Sequence, residues 1–345
     1  MLKQEVLTFS VILFVAIGSS PDQELLEKFV SSLHNCTRPT PWNENDPSSS
    51  APVCSWSGIT CNNETLEVIG IDFGGFGCEG QPEFSLLPPN VRRVNMKGNK
   101  LSGSLNVAVF PRRLQYLDLS GNGLTGKLDL TSLPPGAQIV YLQENAFSGG
   151  LFLTSLPDDL QWLILGSNAL TGPLLLQNLS KSLQYLDVSN NRLSGTPDLS
   201  ELTNSLRSLW LNGNAFDGTP LLNGSSRLKQ LYLNNNFFSG TLNLFHLPET
   251  LRELYLSSNS FSGAPNLEGL PSSLRRLDLS SNDLSGTLNL TALPSLLALN
   301  LTGNAGICGR MDAPHSFCFL LDVGNRCSKT TDFFSGCVVK CGGCI

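Results

Sequence analysis

Ten cysteines, three histidines and one glycine triplet are where chemistry in this 345-residue chain would have to start. Cys36, Cys54, Cys61 and Cys78 stand near the amino end, and Cys308, Cys318, Cys327, Cys337, Cys341 and Cys344 near the carboxy end. The last three are spaced like a zinc or dithiol-redox motif, yet no βαβ pattern surrounds them. An even count, four at one end and six at the other, reads as disulfides instead. Gly75, Gly77 and Gly80 spell G-x-G-x-x-G after the strand-like residues 68–71. A dinucleotide site needs a helix opening at the third glycine, and Gln81 and Pro82 stand there. His34, His246 and His315 are far apart, with no H-E-x-x-H or G-x-S-x-G beside them. No catalytic residue, metal site or cofactor is expected, and the chain reads as a non-enzyme.

Recognition chemistry is better supplied. One asparagine recurs as Asn99, Asn122, Asn145, Asn168, Asn191, Asn214, Asn236, Asn259, Asn282 and Asn304, at spacings of 22 or 23 residues. The frame L-x-x-L-x-L-x-x-N precedes it, as in Leu114, Leu117, Leu119 and Asn122, and nine of the ten have a glycine four residues later. Leu66, Ile69 and Ile71 open a degenerate copy with Gly74 in the asparagine place. Six residues before the asparagine lie Tyr116, Trp162 and Tyr185; four before it lie Tyr141, Trp210, Tyr232 and Tyr255. These positions take all five tyrosines and two of the four tryptophans, along with Asp118, Asp187 and Asp278. Tyr and Trp bury large areas at low rotamer cost and dominate binding hot spots. The seven aromatics are therefore the candidate ligand residues. Strand propensity also favours them there, so packing along a sheet is the competing account.

Positioning them requires a repeating element. L-x-L makes a short strand with its leucines on one side. One such strand cannot bury its face, so copies stack in parallel over a continuous leucine core. The asparagine amide is expected to satisfy backbone groups freed where the chain turns away, forming a ladder, and the glycine to supply a tight backbone position. The ends need covers. Ser20, Pro21 and Gln23 read as N-cap, first helical position and capping-box partner of a short helix with Leu25, Leu26, Phe29, Val30 and Leu33 on its apolar stripe.

Composition sets the compartment. Only 14 % of residues are charged, net −6, and 64 are leucine. So much apolar side chain excludes disorder, and the acidic balance argues against nucleic acid. Lys3, the apolar residues 6–17, and Ala16 and Gly18 before a cleavage point read as a secretory signal peptide over residues 1–18. No transmembrane segment is expected elsewhere. Six sequons, at Asn35, Asn63, Asn178, Asn223, Asn289 and Asn300, fit export as glycosylation sites. The division expected is a cysteine-containing cap over 19–80, ten repeats over 81–304 and a cysteine-rich cap over 305–345.

These repeats resemble leucine-rich repeats, and the L-S-G or F-S-G after six of the ten asparagines resembles the plant-type, receptor-like subclass. Cys54-Ser-Trp56-Ser-Gly58-Ile-Thr-Cys61 is similar to that family's amino-terminal cap, and Gly303-Asn304-Ala-Gly306-Ile-Cys308-Gly309 to its carboxy-terminal one. The usual I-P after the glycine is replaced by T-L-N-L-T-x-L-P, as in residues 287–294, a variant that also resembles kinetoplastid surface proteins. The resemblance implies an α/β solenoid, a right-handed superhelix with a parallel concave sheet and disulfide-bonded caps at both ends. It pairs Cys54 with Cys61, leaving Cys36 for Cys78. It also implies a secreted or cell-surface protein that binds a protein, peptide or glycan on its concave face, with room for a membrane-anchored co-receptor. Two alternatives stand beside that reading. One is an inhibitor of an extracellular cell-wall hydrolase, as in polygalacturonase inhibitors; the other is a structural coat protein without a discrete ligand.

Overall fold

The computed structural model describes residues 20–36, 51–200, 202–222, 227–288, 298–308 and 318–320. The expected leader 1–18, Asn223, Asn289, His315, Cys327, Cys337, Cys341 and Cys344 lie outside these, as do the side chains of Cys308 and Cys318.

Each repeat closes one coil of a β-solenoid. The L-x-L segments form three-residue strands such as Tyr116–Asp118, Trp162–Ile164, Tyr185–Asp187 and Ser208–Trp210. They pair in parallel and in register, with Trp162 opposite Tyr185, and Leu163, Leu186 and Leu209 in one row. The resulting sheet has 13 strands. Ile59–Cys61 lies antiparallel on its first edge, against Val68–Asp72, and Cys318–Leu320 closes the other end. Because side chains alternate across a strand, the central leucines Leu117, Leu163, Leu186 and Leu209 are fully buried while their neighbours face the concave side.

The asparagines stitch coil to coil. Asn191 Nδ2 donates to the carbonyls of Val188 (3.0 Å) and Ser189 (3.1 Å) in its own turn, and of Leu165 (3.2 Å) in the previous coil. Its Oδ1 accepts from Leu170 N at 3.0 Å. Asn122, Asn145, Asn168, Asn214, Asn236, Asn259, Asn282 and Asn304 repeat the pattern, and Asn99 joins the first coil to Phe73 and Cys78. Beyond the asparagines the chain forms a second row of strands, split into an eight-stranded sheet and a four-stranded one. Its inward residues include Phe147, Phe216, Phe238 and Phe261, all fully buried, the last three stacked at 6.1 and 6.2 Å. The nine glycines at the fourth position have φ between +70° and +97°, a region costly for any residue with a Cβ. At Gly103 a Cβ would also lie 2.6 Å from the Gln81 side chain.

Among the described residues the α-helix is confined to the cap; the first coils return through 3₁₀ segments, Phe84–Leu86, Val107–Val109 and Leu130–Ser132, and the later ones through turns. The cap helix Pro21–Ser31 begins at Ser20, whose hydroxyl accepts from Gln23 N at 3.2 Å. Gln23 departs from the expected capping box: its amide reaches forward to Glu27 (3.0 Å) and not back to the cap. Asp22 supplies the tie that the sequence reading missed, accepting from Val68 N at 2.8 Å and so docking the helix on the first strand. Leu26, Phe29, Val30 and Leu33 seal the core. Cys36 is bonded to Cys78 and Cys54 to Cys61.

Candidate ligand-binding surface

All seven aromatics predicted for the concave face lie on it, in two groups. Trp162, Tyr185, Trp210, Tyr232 and Tyr255 form one continuous stack, with successive ring centroids 3.7, 6.4, 5.8 and 4.7 Å apart and planes within 20° of parallel. The stack shifts from one column of the sheet to the next between Tyr185 and Trp210. It can do so because Tyr185 faces Ser208, a small residue only 2 % exposed. Tyr116 and Tyr141 form a separate edge-to-face pair at 5.9 Å, and the Arg93 guanidinium lies 3.7 Å over the Tyr116 ring. Stacking along the solenoid axis turns the ring faces toward each other and leaves their edges outward. Each of the seven is half-buried.

Polar partners fix the ends of these groups. Glu253 accepts from the Tyr232 hydroxyl (2.8 Å) and Gln230 (3.1 Å) and pairs with Arg276 at 3.4 Å, while Gln230 accepts from Ser208 at 2.8 Å. Burial, then the hydrogen bond to Glu253 and its charge, push the Tyr232 phenol well above its ordinary value. Tyr116 is pushed up to about 12, by burial first and the Asp118 charge second, with Arg93 opposing. The Ser208–Gln230–Glu253–Arg276 network was not legible beforehand, because its members share no residue type and meet only across coils.

The acids expected among the outward-facing positions do something else. Asp118, Asp187 and Asp278 accept from the backbone amides of Ser120 (3.1 Å), Ser189 (2.8 Å) and Ser280 (3.0 Å). They close the turn after the strand, as an Asx-turn does. Burial pushes the Asp187 carboxyl up against those bonds. Their two-residue spacing to serine was the signal available in the sequence. A groove of about 330 Å³ lies apart from the stack at the amino end, lined by Gly74, Gly98, Gly121, Lys97, Gln143 and Glu144. Of the sequons described, Asn35, Asn63 and Asn178 are exposed, while half-buried Asn300 turns its oxygen back to Thr302 N (3.2 Å). The glycine triplet is followed by no helix, Glu79–Gly80 being a strand. Among the described residues, no three His, Cys, Asp or Glu gather as metal ligands, and no helix is long and apolar enough to cross a membrane.

Comparison with known proteins gives this architecture its family. The model of the leucine rich repeat N-terminal domain matches residues 19–62, and leucine rich repeat models match residues 113–134, 182–202, 250–270 and 271–287. The chain is a leucine-rich-repeat solenoid. Leucine-rich-repeat structures similar to it include a plant ice-binding protein, at 21% identity and TM-score 0.62, covering 80% of this chain and 97% of that one. The ectodomain of the plant receptor kinase GASSHO1/SCHENGEN3 from Arabidopsis thaliana is similar at 22% identity and TM-score 0.51, covering 88% of this chain and 45% of that one. A TDR receptor is similar at 23% identity and TM-score 0.52, over 74% of this chain and 51% of that one. The chain thus spans about half the length of these two receptor structures. No curated protein matches the sequence.

Proposed function

We propose that this solenoid is an extracellular recognition protein that binds a protein, peptide or glycan along its concave sheet, without catalysis. The five-ring stack from Trp162 to Tyr255 carries the reading. Five strands at about 4.8 Å put roughly 20 Å of aromatic edge on one face, enough for about six residues of extended peptide. Half-buried aromatic side chains held rigid before binding lose little entropy when a ligand covers them. The cap disulfides favour an oxidising compartment. The GASSHO1/SCHENGEN3 ectodomain was solved in complex with Casparian strip integrity factor 2, so the same fold carries a partner in that protein.

The test is the double variant Trp210→Ala and Tyr232→Ala. Partners cross-linked to the wild-type chain in extracellular extract should be lost from the variant, with the far-ultraviolet circular dichroism of the folded solenoid kept. Full retention of those partners would overturn the reading.

A second reading rests on the second row of strands, where hydroxyl residues face each other, Ser104 opposite Thr125 in the eight-stranded sheet and Thr241 opposite Ser262 in the four-stranded one. Together with the plant ice-binding neighbour it favours a face that orders water. It stands second because Thr125, Thr196 and Thr219 donate their hydroxyls to neighbouring carbonyls. Inhibition of ice recrystallisation that survives the Trp210 and Tyr232 changes would promote it.

A further inference from the structure

The residue just before each concave strand changes character along the solenoid. In the ten repeats Arg92 stands there first, Gln115, Gln138, Gln161 and Gln184 follow through the first half, and an unbroken run of four cations, Arg207, Lys229, Arg252 and Arg275, holds it in the second. The backbones of the four cations are joined in sequence. The amides of Lys229, Arg252 and Arg275 donate to the carbonyls of Arg207, Lys229 and Arg252 at 2.7, 2.8 and 2.8 Å. Four positive side chains therefore rise from backbones spaced by about 4.8 Å. That is well inside the screening length of about 8 Å at physiological salt. Like charges on facing strands repel, so the row is a cost to the fold. It also sits in a chain of net charge −6.

Among the described residues, none of the four forms an ion pair; the pairs are Lys28–Glu24, Lys100–Glu79 and Arg276–Glu253. Glu253, beside Arg252 in the chain, is taken by Tyr232, Gln230 and Arg276. Among the described residues Arg275 bonds the carbonyls of Ser272 and Leu274 and no carboxylate. Arg207 and Arg252 are exposed and Lys229 and Arg275 half-buried. The same coils bear Trp210, Tyr232 and Tyr255, whose faces are turned on one another. Sugar rings stack on open aromatic faces, and this stack offers mainly edges, which carry the positive side of the ring quadrupole.

We infer that the ligand of the concave surface is an extended acidic polypeptide segment. Its carboxylates lie along Arg207, Lys229, Arg252 and Arg275, and its intervening side chains rest on the edges of Trp210, Tyr232 and Tyr255. The inference rests on the concave sheet being the ligand surface, as proposed above, and adds the chemistry of the partner.

The test uses the folded chain with three labelled probes: a dodecapeptide alternating Glu and Ala, its Gln-Ala counterpart, and polygalacturonate. The Glu-Ala peptide should bind, the Gln-Ala peptide should not, and added salt should weaken binding. The variant Arg207→Gln, Lys229→Gln, Arg252→Gln, which leaves the carbonyl bonds of Arg275 in place, should lose roughly tenfold or more in affinity without a lower melting temperature, since it removes only repulsion. Equal binding of the two peptides, an unchanged affinity in the variant, or binding of polygalacturonate alone would overturn the inference. Extracellular partners lost by the Trp210 and Tyr232 variant but kept by the charge variant would sink this inference and leave the concave surface standing. Partners kept by both would sink both.

Discussion

Replacing Asn191 by alanine tests the ladder more sharply than its bond count suggests. The side chain makes four hydrogen bonds, yet their loss is unequal. The Val188 carbonyl also accepts from Asn214, the Leu165 carbonyl from Asn168, and the Ser189 carbonyl from Ser167 N. All three carbonyls keep a partner after the change. Leu170 N does not, because Asn191 Oδ1 is the acceptor it has, and Leu170 is fully buried. One orphaned buried donor costs about 1–3 kcal/mol. For a domain of this size that corresponds to several degrees of melting temperature. Asn191→Asp should be worse at neutral pH. It keeps the acceptor for Leu170 N but aims a second oxygen, with its charge, at three carbonyls. Thermal melts of both variants, with hydrogen exchange read at Leu170, check the reasoning. An alanine variant that melts with the wild type and keeps Leu170 protected, or an aspartate variant more stable than the alanine one, would refute it.

Two further expectations concern the cap and the phenols. Cys36–Cys78 closes a span of 42 residues and Cys54–Cys61 one of 7. Chain entropy then assigns them about 4 and about 2.5 kcal/mol. Serine replacement of the first pair should therefore lower stability more and expose the Pro21–Ser31 helix to hydrogen exchange; the reverse order of melting temperatures would contradict this. In an alkaline titration followed by phenolate absorbance, Tyr116 should ionise only near pH 12, and Tyr116→Phe should take one phenol out of the late phase that it shares with Tyr232. The raised value means the folded state holds its proton more tightly. The contribution of Tyr116 to stability is thus intact below about pH 10 and falls as pH rises from 10 toward 12. An unchanged late phase in Tyr116→Phe would show that another group causes it.

Much of this molecule was legible as text because a solenoid is almost one-dimensional. Each coil contacts mainly its neighbours, so a 23-residue spacing of Asn122, Asn145, Asn168 and Asn191 already states which backbone meets which. The strand positions, the concave placement of the seven aromatics and the asparagine bonds follow from that period. The period is silent about side chains that compete for one place. Asp118 and Trp210 occupy the same position of the repeat, yet Asp118 folds back on Ser120 while Trp210 stacks on Tyr232.

The sequence by itself determined the coil, its register and the face each residue would take, since backbone pairing repeats identically whatever the outward side chains are. Only the tertiary structure decided which rings touch and which acids are spent on turns. It also showed Gln23 reaching for Glu27 and Asp22 for Val68. Those outcomes depend on distances between side chains of neighbouring coils and on the space left by residues as small as Ser208. Rotamers settle such contests only once the coils are stacked.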